Sequence, residues 1–110
     1  MENFDYDLRS IQEARELARK GEAAAKKMAG YTEEQIDRIL KSMVKAAEEH
    51  AACLAEMAVE ETGFGKALDK TYKNHAAATL LYNDIKDMKT VGIIDEDKVR
   101  GTLDVAHPAG

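Results

Sequence analysis

The chain has no tryptophan, a single cysteine, a single proline and only 5% aromatic residues in 110. Cys53 has no partner for an internal disulfide, which suits a reducing cytoplasm. No apolar run approaches the roughly 18 residues that a membrane-spanning helix needs. The opening MENFDYDLRS is acidic and lacks the basic start and apolar middle of a signal peptide. No basic stripe with interleaved aromatics is present, which disfavours a nucleic-acid partner. These absences lead to the expectation of a soluble, cytoplasmic protein with neither membrane nor nucleic acid as a partner.

Large side chains to fill an interior are also scarce. Hydrophobic residues make up 45% of the chain, but much of that share is alanine, as in EAAAKKMAG and NHAAATLL. Alanine buries little area, so a single domain of this size has a thin core and is marginal without a further layer to pack on. Charge is plentiful and mixed: 16 Lys and Arg against 21 Asp and Glu give a net charge of -5. Glu16 with Lys20, Glu22 with Lys26, Glu34 with Arg38 and Asp69 with Lys73 stand four residues apart, the spacing that supports exposed helix faces.

The most legible stretch runs from Tyr31 to Gly65. Thr32 and Gln35 have the spacing of a capping box, Tyr31 and Ile36 that of a hydrophobic staple, and Glu33 and Glu34 suit the first turn. Ile36, Leu40, Met43, Ala47, Leu54 and Ala58 recur at helical steps, predicting a helix over about 33–62 with that stripe inward. At 1.5 Å per residue it is about 45 Å long. Gly63 is expected in the left-handed conformation, with Phe64 folded back onto Val59 in a Schellman ending.

Before it, Leu8, Ile11, Ala14, Leu17, Ala18, Ala24 and Met28 predict a helix over about 8–29, with Asp7 as cap and Gly30 as stop. Gly21 inside it marks either a close approach or a weak point. After the GFG corner a third helix is predicted over about 66–88, with Leu68, Tyr72, Ala76, Thr79, Leu80 and Ile85 inward. The period then shortens. KTVGII and VRGTLDVA read as strands over about 90–94 and 99–106, joined by DEDK as a polar turn, with Pro108 holding the chain extended afterwards. The fold class is thus mostly α with a C-terminal β-hairpin. Its organisation is a flexible leader (1–7), a helical segment (8–88) and a hairpin (89–110). A lone hairpin is marginal in water and calls for a sheet or a surface to join.

Chemistry is hard to place. Glu49, His50 and Cys53 share one helical turn and His75 lies on the next helix, but only His50 and Cys53 stand in a useful i,i+3 relation for zinc. The simpler reading makes Cys53 a small buried residue among alanines and His50 a boundary residue. Nothing near Cys53 would lower its pKa for nucleophilic work. Gly63-Phe64-Gly65-Lys66 lacks the spacing and the preceding strand of a phosphate loop, and His107 reads as a solvated tail residue. No catalytic, cofactor-binding or metal residue is assigned.

MAVEETGFG (57–65), DKTYKNH (69–75) and KTVGII (89–94), in this order, resemble the N-terminal segment of CoA-acylating aldehyde dehydrogenases. The resemblance covers the chain from about Ile11 onward, departing at His107-Pro108-Ala109-Gly110, where the family has an acidic residue, Pro, Val or Ile, then Gly. It implies the opening of a longer α/β protein, whose helices pack on a nucleotide-binding domain and whose strands begin an oligomerisation arm. It further implies NAD(P) and CoA as cofactors of the full-length enzyme, none of them held by this chain. The remainder of the dehydrogenase or a like subunit is the implied partner, and a bacterial microcompartment one implied location. The family's nucleophilic cysteine and nucleotide loops fall beyond these residues, and Cys53 does not match that cysteine's surroundings. The expectation is an N-terminal segment without activity of its own. The alternative is a free-standing helical interaction or self-association module; a first helix acting as an encapsulation tag is a third.

Overall fold

A computed structural model describes residues 5–109. Its elements are α1 (Tyr6–Met28), α2 (Glu33–Thr62), α3 (Ala67–His75), a π turn (Ala76–Leu80), α4 (Leu81–Ile85), β1 (Ile93–Asp97) and β2 (Thr102–Val105). The anticipated class, helices followed by an antiparallel hairpin, is what is observed. The residues divide into two bodies: one holds α1 and the residues from His107, the other Glu33–Ala106.

In the first body, α1 begins earlier than the spacing predicts. Asp7 lies inside its first turn, with Oδ1 accepting the Leu8 N–H at 2.9 Å, rather than capping it; Asp5 precedes the helix without a side-chain cap bond. Residues 1–4 of the expected leader lie outside the described residues, and Tyr6 and Asp7 are already helical. The helix passes through Gly21 unbroken, and a Cβ there would meet nothing within 4 Å, so neither a break nor a close approach explains that glycine. Glu22 and Lys26 do pair, at 3.1 Å. No residue of α1 is buried.

The second body is an αα-hairpin followed by a β-hairpin. α2 begins and ends where expected, and Gly63 takes the left-handed conformation with φ of +69°. Its ending is simpler than a Schellman motif. The Gly63 N–H returns to the Val59 carbonyl at 2.8 Å, while the Phe64 N–H is taken by Thr62 Oγ1 at 3.2 Å, leaving the Phe64 ring exposed instead of folded onto Val59. The third predicted helix is interrupted. α3, the π turn and α4 follow one another without a break in helical backbone from 67 to 85, but the Leu81 N–H reaches five residues back to Ala76. The helix ends at Ile85, three residues short of the expectation, in a turn closed by the Met88 N–H on the Ile85 carbonyl at 3.0 Å.

The buried residues among those described are Ala51, Ala55 and Ala78, the first two only 1% exposed. No large side chain is fully buried. The covered stripe of α2 runs through Val44, Glu48, Ala51, Ala55 and Val59, with Ile36, Leu40 and Ala58 half-buried beside it. Met43, Ala47 and Leu54, expected inside, are exposed. On the facing helix Ala67, Lys70, Thr71, Asn74, His75, Ala78, Thr79, Tyr82 and Ile85 are the covered positions. Of the six residues expected inward there, Thr79 and Ile85 are, while Leu68, Tyr72, Ala76 and Leu80 are exposed. The reason is size. Two helices approach closely where side chains are small, so alanines occupy the contact and the bulky apolar residues lie one step around each cylinder.

β1 lies three residues beyond its predicted place, and β2 is a shorter strand inside the predicted 99–106. β1 and β2 pair with Ile93 opposite Val105, Glu96 opposite Leu103 and Asp97 opposite Thr102, with a bulge between Ile93 and Asp95. DEDK was expected to turn because it is polar, yet Asp95, Glu96 and Asp97 are strand. The turn is Lys98–Gly101, and Asp97 makes it: Oδ1 accepts the N–H groups of Val99 and Arg100 at 2.9 and 3.0 Å, and its carbonyl accepts the Gly101 N–H at 2.8 Å. Val99, expected to begin the second strand, sits at the tip, 98% exposed. Gly101 has φ of +69°, a conformation costing a side-chain-bearing residue about 1–2 kcal/mol. Gly101→Ala is therefore expected to fray the ribbon, seen as loss of cross-strand Hα contacts between 95 and 104 by NMR, while helix content stays unchanged. The hairpin packs on nothing continuous: among the described residues the sheet has two strands only, and both are exposed apart from Asp97.

Candidate functional site

The polar centre of the second body lies between α2 and the helix it faces. Glu48 stands on the covered stripe of α2 between Val44 and Ala51. Its Oε2 accepts the His75 Nδ1–H at 2.6 Å, and its Oε1 accepts the Thr79 hydroxyl. One turn further along α2, the Asn74 side-chain amide donates to the Ala51 carbonyl at 2.9 Å. A half-buried carboxylate is thus satisfied by two donors one turn apart on the opposite helix. The Thr79 hydroxyl first, then His75, holds the Glu48 carboxyl below its usual range, against partial desolvation that pushes it up.

A folded-state pKa held low means that the contribution to pairing is complete above the ordinary carboxylate range and lost as pH falls through the depressed value. Between about pH 5 and about pH 3 the unfolding midpoint of the native chain should drop further than that of Glu48→Gln, which has no proton to take up there. Parallel urea titrations by circular dichroism read the difference; identical pH profiles would refute it.

The residues singled out for metal or nucleophilic chemistry do not come together. His50 turns its Nδ1 to the Ala46 carbonyl of its own helix at 2.8 Å, and Glu49 pairs with Lys45 at 3.8 Å. His75 meets Glu48 rather than Glu49. Cys53 is exposed, not buried among alanines, and its Sγ lies 4.0 Å from Met57 Sδ. It projects one step round the helix from the alanine contact. Among the described residues no three His, Cys, Asp or Glu side chains are grouped to hold a metal. His107 is exposed with Nδ1 2.8 Å from the Pro108 carbonyl, and the Gly63–Lys66 corner joins two helices. Sequence reasoning missed Glu48 and Asn74, and placed Thr79 inward without its polar partner. The signal was a charged residue placed in step with Val44, Ala51 and Ala55, facing polar residues repeated every four positions.

The outside of this body carries open apolar surface. Met43, Leu54 and Met57 form an uncovered stripe on α2, and Leu68, Tyr72 and Leu80 another on the facing helix; Leu54 is 50% and Leu68 66% exposed. Bulky apolar residues at helical spacing on the open sides of a pair that meets through alanines are arranged to pack on something else. No helix among the described residues is long and apolar enough to cross a membrane.

No protein-family model matches the sequence. Individual proteins do. The chain is 39% identical over 101 residues to the bifunctional aldehyde-alcohol dehydrogenase of Escherichia coli, covering 92% of this chain and 11% of that protein. It is 42% identical over 96 residues to the acetylating succinate-semialdehyde dehydrogenase of Clostridium kluyveri, covering 87% of this chain and 21% of that one. Among solved structures, an acetylating aldehyde dehydrogenase from Geobacillus thermoglucosidasius superposes with a TM-score of 0.73 at 54% identity, over 86% of this chain and 21% of that chain. The chain therefore spans about a tenth to a fifth of the length of the proteins it matches. In sequence and in fold it belongs with the CoA-acylating aldehyde dehydrogenases, as a relative of their N-terminal region.

Proposed function

We propose that this chain serves as the N-terminal helical layer and arm of an NAD(P)-dependent, CoA-acylating aldehyde dehydrogenase, and that it has no catalytic activity by itself. The observation that carries this is a match spanning nearly all of this chain but a small share of each relative. The supporting physics is the interior of three alanines beneath two open apolar stripes. In this reading residues 8–88 pack on a nucleotide-binding domain, and the hairpin of residues 89–110 adds its edge to a sheet or to a neighbouring subunit. The complete enzyme converts an aldehyde, CoA and NAD(P)+ to acyl-CoA and NAD(P)H. NAD(P) and CoA are then held by the rest of the enzyme, and its location is cytoplasmic, a microcompartment included.

The purified 110-residue chain, mixed with an aldehyde, NAD+ and CoA, is expected to give no NADH absorbance and no acyl-CoA by mass spectrometry. Turnover above the enzyme-free control would overturn the claim of inactivity.

A further inference from the structure

We propose that the π turn and Glu48 form one device, a polar register lock that sets how α2 and its facing helix align. The residues turned toward α2 recur every four positions, as Thr71, His75 and Thr79 in one row and Asn74, Ala78 and Tyr82 in the next, all buried or half-buried. An α-helix turns about 100° per residue, so a row with a four-residue step drifts about 40° at each step. Over two steps the drift would carry Thr79 and Tyr82 off the contact. A π turn holds more residues than an α turn and takes the drift back. Here it occupies Ala76–Leu80, closed by the Leu81 N–H on the Ala76 carbonyl; it contains Ala78 and Thr79 and separates His75 from Tyr82.

The consequence is a single carboxylate that reads the phase of the opposite helix. Glu48 takes donors from both His75 and Thr79 in this alignment, and the Asn74 bond to the Ala51 carbonyl sets the same alignment one turn away. Three alanines alone cannot do this, since small smooth side chains slide past one another with little change in buried area.

Amide hydrogen exchange at Ala55 and Ala78 in the full 110-residue chain tests the lock. Thr79→Val is expected to lower protection about three-fold in the native background, a modest value for a charge-assisted bond near solvent. The same change should have no effect when Glu48→Gln is already present. An undiminished effect of Thr79→Val in that background would overturn the lock, since the hydroxyl would then matter for some other reason. His75→Gln, a change to the second donor, must likewise lose its effect there; an undiminished one would also overturn it.

Discussion

Ala55→Leu is expected to cost about 1–3 kcal/mol of helix-pair stability, the usual penalty for adding methylenes to a filled contact. Ala55 is 1% exposed and lies where α2 meets the facing helix, one turn beyond Ala51. A leucine side chain has nowhere to go there except between the helices, and pushing them apart lengthens the Asn74–Ala51 bond, 2.9 Å in the native pair. It would also draw His75 from Glu48. Burying a leucine offers up to about 3 kcal/mol where a cavity exists, but two helices that meet at an alanine stand too close to admit the larger side chain without moving apart. The measurement is the urea midpoint by far-ultraviolet circular dichroism, against Leu54→Ala as control. Leu54 is the preceding residue in sequence and half exposed, so its truncation should move stability by less than about 0.5 kcal/mol. An Ala55→Leu chain as stable as the native one would mean that the alanine contact is not close-packed.

The paired change Leu54→Glu with Met57→Glu has the opposite signature. Both side chains are more or less half exposed, so the chain's own helix content and midpoint should change little. Docking onto the rest of a dehydrogenase, in contrast, should fail. Each apolar side chain buried in such a contact contributes about 1.5–3 kcal/mol, and a carboxylate in its place brings a desolvation cost. The expected loss is at least about 100-fold in affinity, the equivalent of about 3 kcal/mol. Isothermal titration of the chain into the Geobacillus enzyme lacking its own matching segment reads this directly. Unchanged binding by the doubly substituted chain would remove this stripe from the proposed interface. Together the two substitutions separate the internal contact from the external one at adjacent positions of one helix.

That adjacency also explains what could be read from the sequence and what could not. The helices, their order and the chain reversal at Gly63 were legible because they depend on local chemistry: caps, glycine conformations and hydrophobic period. The family was legible because three short stretches keep its residues. The inward face of α2 was not. Leu54 and Ala55 are both apolar, and a hydrophobic pattern favours the larger as the buried one. Only the partner helix shows that closeness of approach selects the smaller. The hairpin turn was misplaced for a related reason: polarity pointed to DEDK, whereas Asp97 and Gly101 close the turn through backbone hydrogen bonds that composition does not display.

The sequence by itself determined that this protein is a set of amphipathic helices followed by a two-stranded ribbon, because cap residues, period and turn glycines act within a few residues of one another. Tertiary structure alone decided which apolar stripe is covered, where the π turn falls, and that Glu48 rather than Glu49 meets His75. Those outcomes depend on how two helix surfaces fit, and fit is a property of side-chain size and phase across the pair that neither helix carries alone.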